Sequence, residues 1–305
     1  MLPKGLENDM RTERANAKIN LYLNVVGRRE NGYHNIVSLM QTVSLCDLVT
    51  VDYLPVPHTS IHLTASGNDG MPTDCRNLAW RAAELYLAKI EKSGEVRISI
   101  EKHIPMAAGL AGGSSDAAAV LRALNRLCGN RLSTDELCAL GATLGADIPF
   151  CIVGGGARVT GIGEELCEVE SMPSVPLVVA CMGEGVSTPW AYGKLDEAHQ
   201  NFANAPQHDE RPERILHAMH DGRISDACDA FYNIFEEVVP TVQPHVERLK
   251  QTMREGGAIR AMMSGSGPSV FGVFHNVEDA SVVVDRLKKM GADAFVCHAK
   301  GRYTL

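Results

Sequence analysis

Three stretches of this sequence predict an α+β fold. Near the start, Ala17 to Val26 alternates strictly between apolar and polar residues, as a strand does. In the middle, the strand Val96 to Glu101 runs through a glycine-rich loop into an amphipathic helix. Toward the end, strand, tight turn, strand, helix and strand follow in the order of an α/β sandwich. A chain of 305 residues has room for two domains, expected here as 1–165 and 166–305.

Residues 1 to about 14 read as a polar tail. In the first strand Ile19, Leu21, Leu23 and Val25 share one face, and Lys18, Asn20, Tyr22 and Asn24 share the other. A solvated polar face is the ordinary reading of that second set. Asn31-Gly32 is a hairpin signal, with Tyr33 and His34 directly after it. Strands are expected at Ile36–Leu45, Leu48–Tyr53 and Ile61–Ala65, then a helix over Asp74–Lys89. Trp80 belongs to a core.

The segment Ile104 to Gly129 organises the middle of the chain. Gly109, Gly112 and Gly113 carry no side chain, so backbone N–H groups there can approach a ligand closely. Ser114, Ser115 and Asp116 are capping residue types at the helix start, and Ala117, Val120, Leu121, Leu124 and Leu127 recur at helical spacing. Loop, free N–H groups and helix dipole together suit phosphate oxygens. From local chemistry alone, a plain strand-to-helix turn over small residues reads equally well. Neither a Walker A loop nor GxGxxG is present.

Ser133 and Glu136 form a capping box for a helix Thr134–Leu144. Asp147 follows its end and precedes the apolar run Ile148–Val153. By itself, an aspartate there caps nearby N–H groups. Beyond the boundary come strand Leu177–Met182, the stretch GVSTPWAYGKL, and a polar surface loop at 198–210. Helices are expected at Arg211–Asp221, Ser225–Val238 and Thr241–Gly256. Two strands flank the turn Ser264–Gly267, and helix Val277–Met290 and strand Ala294–His298 finish the chain. His217 and His220 stand three apart on a helix, where a solvated face is the ordinary reading and metal ligation the alternative.

The totals exclude several classes. A net charge of −8 argues against a general nucleic-acid binder. Nine cysteines without a CxxC suggest neither a disulfide framework nor a zinc site, and reduced thiols point to the cytoplasm. The opening MLPKGLENDMRTER is charged and lacks an apolar stretch, so it is not expected to act as a signal peptide, and no run approaches about 20 apolar residues. The oligomeric state is not written in any pattern.

The pattern P-x-x-x-G-L-x-G-G-S-S-x-A-A at Pro105–Ala118 resembles the phosphate-loop motif of the GHMP kinases, which phosphorylate small metabolites. AKINLYLNVVGRRENGYHNI before it and MSGSGPSVFGVF after it stand in the order of that family's first and third motifs. The pairing of K-I-N-L with G-x-R-x-x-G-Y-H, together with LGADIPF and GVST, is similar to the branch acting on a cytidine-diphosphate-linked methylerythritol. The resemblance covers about residue 15 to the end. It implies the two-domain GHMP kinase fold, with an N-terminal domain like domain 2 of ribosomal protein S5 and a ferredoxin-like C-terminal α/β sandwich. It also implies ATP-dependent phosphorylation of the 2-hydroxyl of 4-diphosphocytidyl-2-C-methyl-D-erythritol, a step of non-mevalonate isoprenoid synthesis.

By the same resemblance, Lys18 and Asp147 form the catalytic pair, with Asp147 as general base and Lys18 keeping it ionised. ATP would lie on Pro105, Met106, Ala107, Ala108, Gly109, Leu110, Ala111, Gly112, Gly113, Ser114 and Ser115, with Asn77 near the adenine. Asn20 would hold the erythritol hydroxyls or orient Asp147. Tyr33 and His34 would form the cytidine pocket, with Tyr192 over the other face of the base, and Gly265 and Gly267 would support the loop and the diphosphate. Mg²⁺ would arrive with ATP, near Ser115 and Asp116, without a dedicated metal cage. A GHMP kinase for another metabolite and a non-catalytic nucleotide or sugar sensor are the rival readings.

Overall fold

The computed structural model describes residues 10–67, 70–202 and 209–304. Strands β1 (Met10–Arg28), β2 (His34–Leu54) and β3 (Ser60–Ser66) are followed by α1 (Leu78–Lys89), β4 (Glu95–Glu101) and α2 (Gly112–Leu127). Then come α3 (Thr134–Ala142), α4 (Ile148–Val153), β5 (Gly156–Thr160) and β6 (Glu165–Val169). The rest comprises β7 (Leu177–Cys181), α5 (Thr188–Ala198), α6 (Arg211–His220), α7 (Ile224–Asp229) and β8 (Tyr232–Asn233). It continues through α8 (His245–Glu255), β9 (Arg260–Met263), β10 (Val270–Val273), α9 (Val277–Lys289) and β11 (Asp293–Cys297).

The strands form two sheets. The first runs β3-β4-β2-β1-β8, with β5 also on β2 and β6 on β5. The second runs β11-β7-β10-β9 and is antiparallel throughout. One core lies between the first sheet and its helices, where Val49, Val51, Ile98 and Ile100 meet Ala83, Tyr86, Ala118 and Leu121. Small residues at 117–119 let α2 sink until it is buried nearly all round. A second core lies between the second sheet and α8 and α9. A third joins the halves, with Ala17, Ile19 and Leu21 of β1 against Leu177, Val179, Phe271 and the helices α6 and α7.

Several elements depart from the sequence reading. β1 begins at Met10, inside the expected tail; residues 1–9 lie outside the described residues. Both faces of β1 are buried: Lys18 is 4% and Asn20 1% exposed, so the polar face is not solvated. β2 is one continuous strand rather than two. The run after Asp147 is a short helix, and GVSTPWAYGKL supplies α5. The helix expected over Ser225–Val238 is α7 followed by β8, because Tyr232 and Asn233 pair in parallel with Tyr22 and Leu23. The boundary expected near residue 165 falls at the start of β6, which still pairs with β5. Of the expected loop 198–210, residues 203–208 lie outside the described residues, and Gln200–Phe202 form a 3₁₀ turn.

Candidate active site

A cleft of about 1190 Å³ gathers most of the residues singled out in the sequence. Lys18, Asn20, Tyr33, His34, Asn77, Asp147, Tyr192, Gly265 and Gly267 all line it, with the loop residues Pro105 to Gly109 and Ala111 to Ser114. Leu110 and Ser115 do not. Leu110 is buried in the core joining the halves, and the Ser115 hydroxyl donates to the Asn16 carbonyl at 2.6 Å.

The loop owes its shape to its backbone. Ala107, Gly109 and Ala111 all have positive φ, at 51°, 81° and 58°. Left-handed residues on alternate positions turn successive N–H groups to one side, which makes an anion-binding concavity. α2 starts straight from it at Gly112, without a side-chain cap, so the serines are not caps and the first N–H groups stay free. The third motif braces the loop from behind. A Cβ on Gly109 would lie 2.2 Å from the Ser264 carbonyl oxygen, and one on Gly267 2.3 Å from the Ala108 carbonyl carbon. Backbone meets backbone here, and only glycine permits it. Ser269 N–H donates to the Ala108 carbonyl at 3.2 Å. Gly185, in the GVST stretch, presses on Ala107 in the same way.

Lys18 reaches the loop directly. Its Nζ donates to Asn20 Oδ1 at 2.7 Å and to the Gly109 carbonyl at 3.1 Å. Asn20 Nδ2 donates to the Ser38 hydroxyl at 2.9 Å, and that hydroxyl donates to the Tyr22 carbonyl at 2.7 Å. The expected Lys18–Asp147 ion pair is not among the described contacts, because the ammonium is taken by an acceptor on its own strand face and by the loop. Asp147 stands at the N-terminal end of α4, and its side chain makes no capping hydrogen bond. Its carboxylate therefore faces the cleft rather than serving the helix.

The aromatic residues separate in role. Tyr33 is 58% exposed at the rim, whereas His34 is buried. His34 stacks on Tyr192, with ring centroids 4.6 Å apart, and Tyr192 meets Phe235 edge-on. Burial pushes the Tyr192 hydroxyl up. His34 Nε2 lies 2.7 Å from Asp196 Oδ1, and Arg28 lies 3.5 Å from the other oxygen of that carboxylate. Asn77 caps α1, accepting from Ala79 N–H and donating to the Pro72 carbonyl, so its side chain is already engaged.

A buried charge cluster lies beneath the loop. Lys102 is ion-paired to Asp47 and, at 2.8 Å, to Asp116. Asp47 also accepts the N–H groups of His103 and Ile104. Burial pushes Asp116 up to about 7 against the opposing pull of Lys102, and Asp47 adds to the rise. Its Oδ1 is buried without a hydrogen-bond partner. Lys102 and Asp116 line the cleft; neither Lys102, Asp47, Ser38 nor Asp196 is marked by any local motif, since each gains its partner through the fold. Among the described residues no group of three or more His, Cys, Asp or Glu could hold a metal.

Profiles of known families match both halves: the GHMP kinases N terminal domain over residues 77–155 and the GHMP kinases C terminal over 207–293. A 4-diphosphocytidyl-2-C-methyl-D-erythritol kinase of Caldicellulosiruptor saccharolyticus is 42% identical over 90% of this chain and 92% of its own length. The chain belongs to the GHMP kinases. It stands on their 4-diphosphocytidyl-2-C-methyl-D-erythritol kinase branch: a Bacillus mycoides kinase of that name is 44% identical over 86% of this chain and 88% of that one. A crystal structure titled 4-(cytidine 5'-diphospho)-2C-methyl-D-erythritol kinase superposes with a TM-score of 0.78 at 36% identity, covering 95% of this chain and all of that one. The two-domain GHMP kinase architecture accounts for both sheets and for the cleft. No helix of the described residues is long and apolar enough to cross a membrane.

Proposed function

We propose that this GHMP kinase transfers the γ-phosphoryl group of ATP to the 2-hydroxyl of 4-diphosphocytidyl-2-C-methyl-D-erythritol. One observation carries the reading. A single cleft holds the phosphate loop, a buried lysine and a free aspartate, and a histidine–tyrosine stack suited to a nucleobase. Along the β1–β2 hairpin, Lys18 meets the loop midway along β1 and His34 lies at the turn. A substrate with a base at one end and an alcohol at the other matches that layout.

In this reading the loop N–H groups and the α2 dipole hold the phosphates. Lys18, drawn from Asn20 toward developing charge, stabilises the transferred group, and Asp147 accepts the hydroxyl proton. Asn20 and Ser38 fix the lysine's starting position. Tyr33 and His34 bind cytidine, with Tyr192 behind His34 rather than across the base from it. Gly265 and Gly267 hold the loop in shape. Mg²⁺ carried by ATP needs only one or two protein carboxylates. Asp116 fits that need, with one unpartnered oxygen beside the first turn of α2. The ion would neutralise phosphate charge. The nine free cysteines suit a reducing compartment, and we place the enzyme in the cytoplasm.

The test is ATP consumption with Mg²⁺ against this substrate, galactose, homoserine and mevalonate, with Asp147→Asn in parallel. Turnover of the cytidine compound alone, abolished in Asp147→Asn, is expected. Preference for another metabolite would move the protein to a different GHMP branch. Nucleotide binding without any turnover would make it a sensor.

A further inference from the structure

The β1–β2 ladder breaks immediately before Lys18. Asn16 pairs with Cys46, but Lys18 pairs with Thr42, so Val43, Ser44 and Leu45 leave the ladder. Residues 298–303 fill the break. Ser44 N–H donates to the His298 carbonyl at 2.9 Å, Val43 bridges to Ala299, and Lys300 N–H donates to the Thr42 carbonyl at 2.8 Å. Tyr303 N–H then donates to the Val153 carbonyl at the end of α4, at 3.0 Å.

The Tyr303 side chain turns inward. Its hydroxyl donates to Asn16 Oδ1 at 2.9 Å and accepts the Asn16 N–H at 3.2 Å. The Arg122 guanidinium lies 3.8 Å from the ring centroid. Arg122 is 1% exposed and donates to the carbonyls of Cys151, in α4, at 2.7 Å and of Arg14, in β1, at 2.9 Å. Ser115, in the first turn of α2, donates to the Asn16 carbonyl. One node therefore ties the three elements that carry Lys18, the phosphate loop and Asp147.

We propose that Tyr303 is a positioning residue for phosphoryl transfer, acting through Asn16 to hold Lys18 in place against the loop and α4. The proposal rests on reading Lys18 and Asp147 as the catalytic pair. The register shifts between Asn16 and Lys18, so contacts outside the ladder help fix where Lys18 stands. At this break, the Asn16 N–H that a regular ladder would satisfy is satisfied by the tyrosine hydroxyl. Loss of that hydroxyl leaves Asn16 N–H without its partner and loosens the residue two before Lys18, which keeps its bonds to the Val43 carbonyl and the Ser115 hydroxyl; a displacement of about 1 Å at reacting groups costs about 100-fold in rate.

The decisive variant is Tyr303→Phe, which keeps the ring on Arg122 and removes only the hydroxyl. Its kcat is expected to fall about tenfold or more, with KM for ATP and for the alcohol each within about twofold of wild type. Tyr86→Phe is the control. It also removes a buried hydroxyl, bonded to Asn125 at 3.0 Å in the core between α1 and α2, and is expected to lower stability with kcat unchanged. Tyr303→Leu, which loses the ring too, falls further than Tyr303→Phe. Wild-type kcat in Tyr303→Phe, or equal loss in Tyr86→Phe, overturns the proposal while Asp147→Asn stays inactive. Full turnover by Asp147→Asn instead overturns the catalytic pair, and this proposal with it.

Discussion

Gly267→Ala puts the smallest possible side chain where the third motif meets the phosphate loop. The new Cβ would stand 2.3 Å from the Ala108 carbonyl carbon, 2.4 Å from the Gly109 nitrogen and 2.7 Å from the Ala108 oxygen. All three are backbone atoms, so no side-chain rotation relieves the overlap. Reaching an ordinary 3.4 Å contact requires the loop to retreat by about 1 Å. That movement stretches the Ser269–Ala108 bond, now 3.2 Å, and the Lys18–Gly109 bond, now 3.1 Å. Overpacking of this kind costs about 1–3 kcal/mol of stability, whereas an error of about 1 Å in a phosphate-positioning loop costs about 100-fold in rate. The prediction is therefore asymmetric: a melting temperature lower by a few degrees, and kcat/KM for ATP lower by about two orders of magnitude. Steady-state kinetics at varied ATP and a thermal melt measure both. A variant within twofold of wild-type kcat/KM would show that the contact does not shape the loop.

The remaining predictions are simpler. Asp116→Asn should flatten part of the pH dependence of stability: its folded-state pKa is raised to about 7, so its contribution is present below the ordinary carboxylate range and is lost as pH rises through 7. Urea midpoints of both proteins at pH 5 and 8 read this, and an unchanged pH slope in the variant refutes it. Ser133→Ala removes the capping box of α3, formed with Glu136, and should cost about 1 kcal/mol in urea unfolding while leaving kcat untouched. His34→Ala removes the ring stacked on Tyr192 and one of the two partners of Asp196, and should raise KM for the cytidine substrate about tenfold or more with KM for ATP unchanged.

What was legible in the sequence was local. The alternation of β1, the glycine loop and the Ser133–Glu136 box each declare themselves within a few residues, and each is present in the structure. Asp47 shows why β2 read as two strands. A charged residue in an apolar run looks like a break, yet here it is fully buried because Lys102, 55 residues away, and two backbone N–H groups satisfy it. Tyr232 and Asn233 fall inside the helix expected over Ser225–Val238, but pairing with β1 outweighed local preference there. The capping types at 114–116 misled for another reason: Ala111 takes the left-handed backbone that starts α2, so no side chain is needed there. Ser38 and Asp196 could not be found in advance, since a lone serine or aspartate acquires meaning only from a partner across the fold.

The two-residue strand β8 carries a mechanical consequence. It belongs by sequence to the second half, yet it lies on β1 of the first sheet. Asn233 within it donates to the carbonyls of Met263 and Gly265, at 2.9 and 2.8 Å, and so anchors the third motif as well. With residues 298–303 fastened to β2 and α4 besides, the halves are stitched on more than one side of their shared core. A swing of one half against the other would tear main-chain pairing before it widened the cleft. Entry of substrate and departure of product must then be served by small parts, such as the rim around Tyr33 or the turn bearing Met106, moving over a frame that stays shut.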